Sequence, residues 1–274
     1  MAIPSFVQAS AGTVIQTGTA TVSLSGCTIG NLIILQYYVD GVNIDTIHST
    51  IVGVRNLNDT ATTFEPLAAS HQVGIAQSGV MNVWVGRASA ATCSIDIQVG
   101  AGGGDVFARL YEFSGVAAGT TVATVFENST ATYGENASTG TTISDVDVVT
   151  MGSDRLALQF IFTDANTALA AFAGETGGDW AEPLAEFASA TGTAGTIGLQ
   201  TASKAAAGTV GGGTITVSSC GWGIISTALI PGAGITLDSA LPDADVTTTG
   251  WTATPLFSKV NDASDATVIQ ATAS

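Results

Sequence analysis

Charge is what this chain has least of, and positive charge above all: only 10% of its 274 residues are charged, with six Lys and Arg against 22 Asp and Glu, a formal net charge of −16. Binding to phosphate backbones or anionic lipid needs clustered cations. Nucleic acid and membrane surfaces are therefore not expected partners. No apolar run approaches the roughly 18 residues of a membrane-spanning helix, and MAIPSFVQASAGTVIQ lacks the basic and apolar regions of a secretory signal. Synthesis and assembly in a cytosol are expected.

Histidine is nearly missing too. General-base chemistry falls most often to His, and His48 and His71 are the two present. His48 shares one face of an alternating stretch with Ile44 and Thr46, and His71 follows Ser70; both read as surface or turn residues. The acidic residues form many pairs, but none lies beside the aromatic cluster of a sugar-cleaving site. No catalytic residue is expected. Cys27, Cys93 and Cys220 have no metal-ligand spacing and read as buried, inert thiols in a reducing compartment, with one disulfide plus a spare as the alternative.

What is plentiful is strand-forming sequence. Thr, Val, Ile and Ala recur between 33 glycines, the apolar fraction is 46% and the mean hydropathy +0.42, which argues against disorder. Period-two alternation predicts strands over Thr19–Ser25, Asn31–Val39, Val80–Arg87, Thr92–Val99, Asp105–Phe113, Ile143–Val149, Arg155–Thr163, Thr196–Ala202, Thr214–Ser219 and Trp222–Ile230. Asn166–Phe172 and part of Ala181–Ala190 are the only stretches that could pass for helix.

An internal repeat organises these strands. LIILQYYVD, ending at Asp40, matches LALQFIFTD, ending at Asp164, with Leu32 over Leu156, Ile34 over Leu158 and Tyr38 over Phe162. Glu65-Pro66-Leu67 then matches Glu182-Pro183-Leu184, Arg87 matches Lys204, and Ser94–Val99 falls on Thr214–Ser219. A sheet must bury its apolar face against something, and its twin is the obvious partner. The expected fold is all-β: a duplicated jelly-roll-like β-sandwich over 19–231, with halves at about 19–115 and 140–231, an N-terminal segment 1–18, and an extended C-terminal arm 232–274. Two separate small β-domains are the alternative.

The order GNLIILQYYVD, VWVGRASAATCSIDIQV, VFARLYEFSGV, GSDRLALQFIFTD resembles jelly-roll-like modules of tailed-phage and environmental-virus structural proteins, on Gly30-Asn31-Leu32, Trp84 and Glu112-Phe113-Ser114-Gly115. The resemblance covers roughly Thr19–Pro231. It implies a non-enzymatic virion protein, of capsid-decoration or head or tail fibre type, assembled in the host cytoplasm, homo-oligomeric and bound to other virion subunits. The alternative it allows is a carbohydrate-binding adhesin or receptor-binding module.

The remaining motifs read as turns or accidents. Gly100–Asp105 has a phosphate cradle's glycines but not its Lys and Ser/Thr. Asp40, Asn43 and Asp45, echoed by Asp164 and Asn166, could offer oxygens to calcium, but the spacing is that of a turn, so no metal or other cofactor is expected. N-x-Ser/Thr triplets at Asn58, Asn128 and Asn136 are expected by accident. Trp84 and Trp222 lie in apolar strands and read as core, while Trp180, on a loop, is the candidate contact for a surface glycan. In the arm, Trp251, Leu256, Phe257, Val268 and Ile269 are the candidate partner-binding residues, since a lone strand cannot bury them and would add to a neighbour's sheet edge.

Overall fold

The computed structural model describes residues 2–16, 18–40, 51–56, 65–67, 71–73, 79–99, 105–119, 121–127, 132–169, 179–181, 185–190 and 194–232. Ala2–Gly232 forms one compact unit, and Ala233–Ser274, with Met1, lies outside it. The arm residues Trp251, Leu256, Phe257, Val268 and Ile269 and the 41–45 part of the acidic loop fall outside the described residues.

The fold is all-β. Its strands are β1 (Ser5–Ala9), β2 (Thr13–Ile15), β3 (Gly18–Ser25), β4 (Leu32–Asp40), β5 (Ile51–Asn56), β6 (Glu65–Pro66), β7 (His71–Val73), β8 (Gly79–Arg87), β9 (Thr92–Val99) and β10 (Asp105–Ser114). After a single-turn helix, α1 (Val122–Val125), follow β11 (Thr132–Ser144), β12 (Val148–Thr150), β13 (Arg155–Thr163), β14 (Ala185–Ser189), β15 (Gly195–Lys204), β16 (Gly208–Val210) and β17 (Thr214–Leu229).

Two large antiparallel sheets dominate. The N-terminal one runs β1-β10-β4-β8-β6, with β2 also on β10 and β7 also on β8; the C-terminal one runs β11-β17-β13-β15-β14. The order is the same in both halves: opening strand, closing strand, central strand, then the two that follow it in reverse. The small sheets repeat it as well. β3 and β9 flank β4 and β8 in sequence and pair with each other, as β12 and β16 flank β13 and β15, and β5 extends the first of these small sheets.

Each large sheet is apolar on both faces, as expected of strands covered on both sides. Even-numbered residues of the central strands, Leu32, Ile34 and Tyr38 on β4 and Leu156, Leu158, Phe160 and Phe162 on β13, join one core with Val83, Val85, Phe107, Phe113, Leu199, Ile225 and Leu229. The two inner faces thus share a sandwich-like core. Odd-numbered residues of β4 point the other way, where β3 and β9 cover Ile33, Leu35, Tyr37 and Val39 with Val22, Leu24, Ile95 and Ile97. Val148 and Val210 of β12 and β16 likewise cover Ala157, Ala202 and Ala228.

Close approach of the sheets shapes individual positions. A Cβ on Gly195 would lie 2.8 Å from the Phe107 ring, so any larger residue at the start of β15 would have to push that buried ring aside. The connection between the halves is part of the core: Val116, Val122, Val125 and Phe126 are buried in it, and Val116 and Phe126 bridge to Pro231 and Leu229.

The segment 1–18 supplies β1 and β2, which pair with β10, and β11, paired with β17, begins at Thr132. Several expectations need correction. Ile143–Val149 is split between β11 and β12, with Asp145 and Asp147 in the turn, and Thr214–Leu229 is one long strand. Neither helical candidate is helical where described: 166–169 is irregular and Ala185–Ser189 is an edge strand. The repeat also shifts in register. Leu32 faces Arg87 and Leu156 faces Ser203, so Arg87 corresponds to Ser203 and not Lys204, and β9 corresponds by pairing to β16, not to Thr214–Ser219.

Truncating Ile34 or Leu156 to Ala should cost about 2–5 kcal/mol, from lost burial plus the cavity, whereas exposed Thr141→Ala on β11 should be near neutral. Urea unfolding of the three variants checks this, and equal stability of Leu156→Ala and Thr141→Ala would contradict the shared core.

Candidate functional site

The groups that could do chemistry are mostly buried polar residues on the large sheets. On the inner face, Gln36 replaces an apolar residue in the Leu32, Ile34, Tyr38 row and is fully buried. Its Nε2 donates across the core to the backbone oxygens of Ile161 (2.9 Å) and Gly198 (3.2 Å), a pair of facing positions on β13 and β15. Its Oε1 accepts from Tyr111 Oη at 2.5 Å. Burial pushes the Tyr111 phenol well above its ordinary value, against a smaller opposing pull from Arg109, so it stays a proton donor to Gln36. This bond set links the two sheets.

On the outer face of β10, Glu112 is also fully buried. Its Oε1 accepts from the backbone N–H of Thr28 (2.8 Å) and from Asn31 Nδ2 (2.7 Å), and its Oε2 from Gln8 Nε2 (2.6 Å). The same Gln8 nitrogen donates to Ser25 O at 3.2 Å. One carboxylate therefore ties β1, the end of β3 and the turn into β4 to the closing strand. Both oxygens are occupied, so its chemistry is that of an anchor.

Arg87 serves the same end of the sandwich. Its guanidinium donates to Gly119 O (2.8 Å), Gly30 O (3.0 Å) and Ala117 O, holding the linker against the first half, and burial lowers its pKa from the ordinary value. Arg155 Nε pairs with Glu127 Oε1 at 3.1 Å in the second half.

The C-terminal sheet carries a third cluster on its outer face. Gln159 lies between Gln200 and Ser226 in register, all three fully buried and joined by long contacts of 3.4 Å. Gln200 Nε2 has no hydrogen-bond partner among the described residues, nor do the buried Nε1 atoms of Trp180 and Trp222.

The sequence candidates fall as follows. Trp180 is 7% exposed and packs with Ala157, Ala202 and Ala228, so its ring is not an open stacking platform for sugar. Trp222 is core, and Trp84 is half-buried against the first outer cluster. Asp164 Oδ1 accepts from the Gly221 N–H at 2.6 Å and Asp164 N–H donates to Gly221 O at 3.1 Å, so this residue ties the end of β13 to β17. The backbone of His71 pairs with Met81, and His48 lies outside the described residues. All three cysteines are free and buried.

Gln36 and Glu112 are not among the sequence candidates, although Gln36 carries a signal as a polar residue in the middle of the apolar run LIILQYYV, and Glu112 a weaker one, three residues after Arg109 in VFARLYEFS. Such a residue must bring its own partners. No family model, curated protein or solved structure matches the chain.

Replacing Glu112 by Ala removes the acceptor of the Thr28 N–H and the Asn31 amide and one of the two acceptors of the Gln8 amide, and should cost about 2–4 kcal/mol. Glu112→Gln should cost less but remain measurable, since its new amide group faces the Gln8 amide that already donates to Ser25 O. Denaturant midpoints of the two variants test this order; a neutral Glu112→Ala would contradict the anchor role.

Proposed function

We propose that this chain is a non-enzymatic virion structural protein of a tailed bacteriophage, a duplicated jelly-roll-like sandwich that decorates the capsid or forms part of a head or tail fibre. The observation that carries the reading is the repeat of one strand order in two halves stacked on a single core. It agrees with the sequence repeat and with the jelly-roll-like modules the chain resembles. Such a body works through its surface and edges, by contact with neighbouring subunits.

The sparse charge and the use of the buried polar groups as inter-strand ties support the same reading. On it, the arm Gly232–Ser274 is the docking element, adding its strand to a neighbour through Trp251, Leu256, Phe257, Val268 and Ile269, and the chain is homo-oligomeric in the particle. A surface glycan is the ligand of the rival adhesin reading, which the burial of Trp180 does not favour.

Deleting Gly250–Ser274 should leave the compact unit Ala2–Gly232 folded while abolishing oligomerisation and attachment to purified capsids. Circular dichroism, light scattering and co-sedimentation read the three outcomes. Flat glycan arrays and stoichiometric capsid binding by the full chain are expected. Sub-millimolar glycan binding without capsid binding would overturn the proposal in favour of the adhesin.

A further inference from the structure

Two of the three buried thiols lie together on the outer face of the N-terminal sheet. β3 and β9 run antiparallel with Leu24 opposite Cys93. Gly26 then takes a left-handed backbone (φ +74°), which few residues adopt without strain, and turns the chain back so that Cys27 N–H donates to Ala91 O at 2.9 Å. Cys27 Sγ donates to Leu24 O at 3.2 Å. Cys27 and Cys93 pack in the same cluster, 5% and 1% exposed, close enough for Cys27 to raise the pKa of Cys93. Cys220 belongs to a different cluster in the other half.

We infer that Cys27 and Cys93 form a modification site, a latent disulfide that a hydroperoxide closes. The sulfur of Cys27, the more accessible of the two, attacks the peroxide O–O bond; that bond breaks, Cys27 becomes a sulfenic acid, and the second peroxide oxygen leaves as water once protonated. The Cys93 sulfur then displaces the sulfenic hydroxyl, its own proton accompanying the oxygen as a second water. In sum, two S–H bonds and one O–O bond are lost, one S–S bond forms, the two sulfurs give up two electrons, and the peroxide is reduced to two waters.

The site's environment sets the pace of the second step. Burial first, then the neighbouring Cys27 and the Glu112 carboxylate, pushes the Cys93 thiol up to about 12. Burial therefore holds Cys93 protonated at neutral pH, and raising the pH increases its reactive thiolate. The sulfenic acid on Cys27 should accumulate near pH 7 and convert to disulfide faster toward pH 9. Once formed, the bond ties to β9 the turn after β3, whose Thr28 N–H donates to Glu112. The inference does not depend on the virion reading.

The test is hydrogen peroxide treatment of the full chain, followed by intact mass measurement and peptide mapping without reductant. The expected result is loss of two hydrogens per chain, a single linked pair of peptides containing Cys27 and Cys93, an unlinked Cys220, and a melting temperature raised by several degrees that reductant reverses. In Cys93→Ser the sulfenic acid should persist and react with dimedone at Cys27; in Cys27→Ser neither adduct nor linkage should form. Because the wild-type map needs no variant, misfolding of either substitution leaves the test intact. Independent oxidation of all three cysteines, a link involving Cys220, or no linked peptide would each overturn the inference.

Discussion

The inner face of neither large sheet has a cover within its own half. Leu32, Ile34 and Tyr38 on one and Leu156, Leu158 and Phe160 on the other become dry only when the two sheets stack, and the hydrophobic gain that offsets chain entropy comes mainly from that event. The linker follows from the same constraint. Val122, Val125 and Phe126 close one end of the shared core, and Arg87 clamps the neighbouring carbonyls. Within this apolar layer the Gln36 amide works as a register pin, since its two acceptors on β13 and β15 are reached at only one relative placement of the sheets.

The halves keep their inner faces alike and differ on their outer ones. With Leu32 set over Leu156, the row Trp84–Leu35–Leu110 corresponds to Gln200–Gln159–Ser226, and Glu112 beside Ile33 corresponds to Ala228 beside Ala157. A carboxylate and large apolar side chains on one side become small residues and amides on the other. The covers differ in step: three strands over the first half and two, with Trp180, over the second. The inner faces must fit each other, whereas each outer face answers only to its own cover.

How much is legible in the sequence follows from burial. The central strands LIILQYYVD and LALQFIFTD lie in nearly continuous apolar runs because both faces are covered, and Thr92–Val99 and Arg155–Thr163 match the observed strands to the residue. The missed strands are short or lie at edges. β14, AEFAS, is half-exposed, β16 has three residues, and β11 is broken in register around Asn136, Gly140 and Thr142, so its alternation dissolves. Trp180 misleads because a loop position in sequence need not be an exposed one, and its ring needs only a row of three alanines to lie on. The sequence around Glu112 marks a polar residue in an apolar strand but not what it binds, because its partners come from residues 81 to 104 positions away.

The position of β17 bears on how such a chain emerges from the ribosome. The first large sheet can pair its strands once β10 has been made, but β13, the strand its core faces, sits beside β17, whose last residue is Leu229. At about 5–20 residues per second, on the order of ten seconds separates synthesis of β10 from completion of β17. For that interval the nascent chain presents a sticky apolar platform to its crowded surroundings. Polysomes carrying neighbouring copies would thus be the place where half-made chains mispair, and a holdase chaperone the natural guard against it.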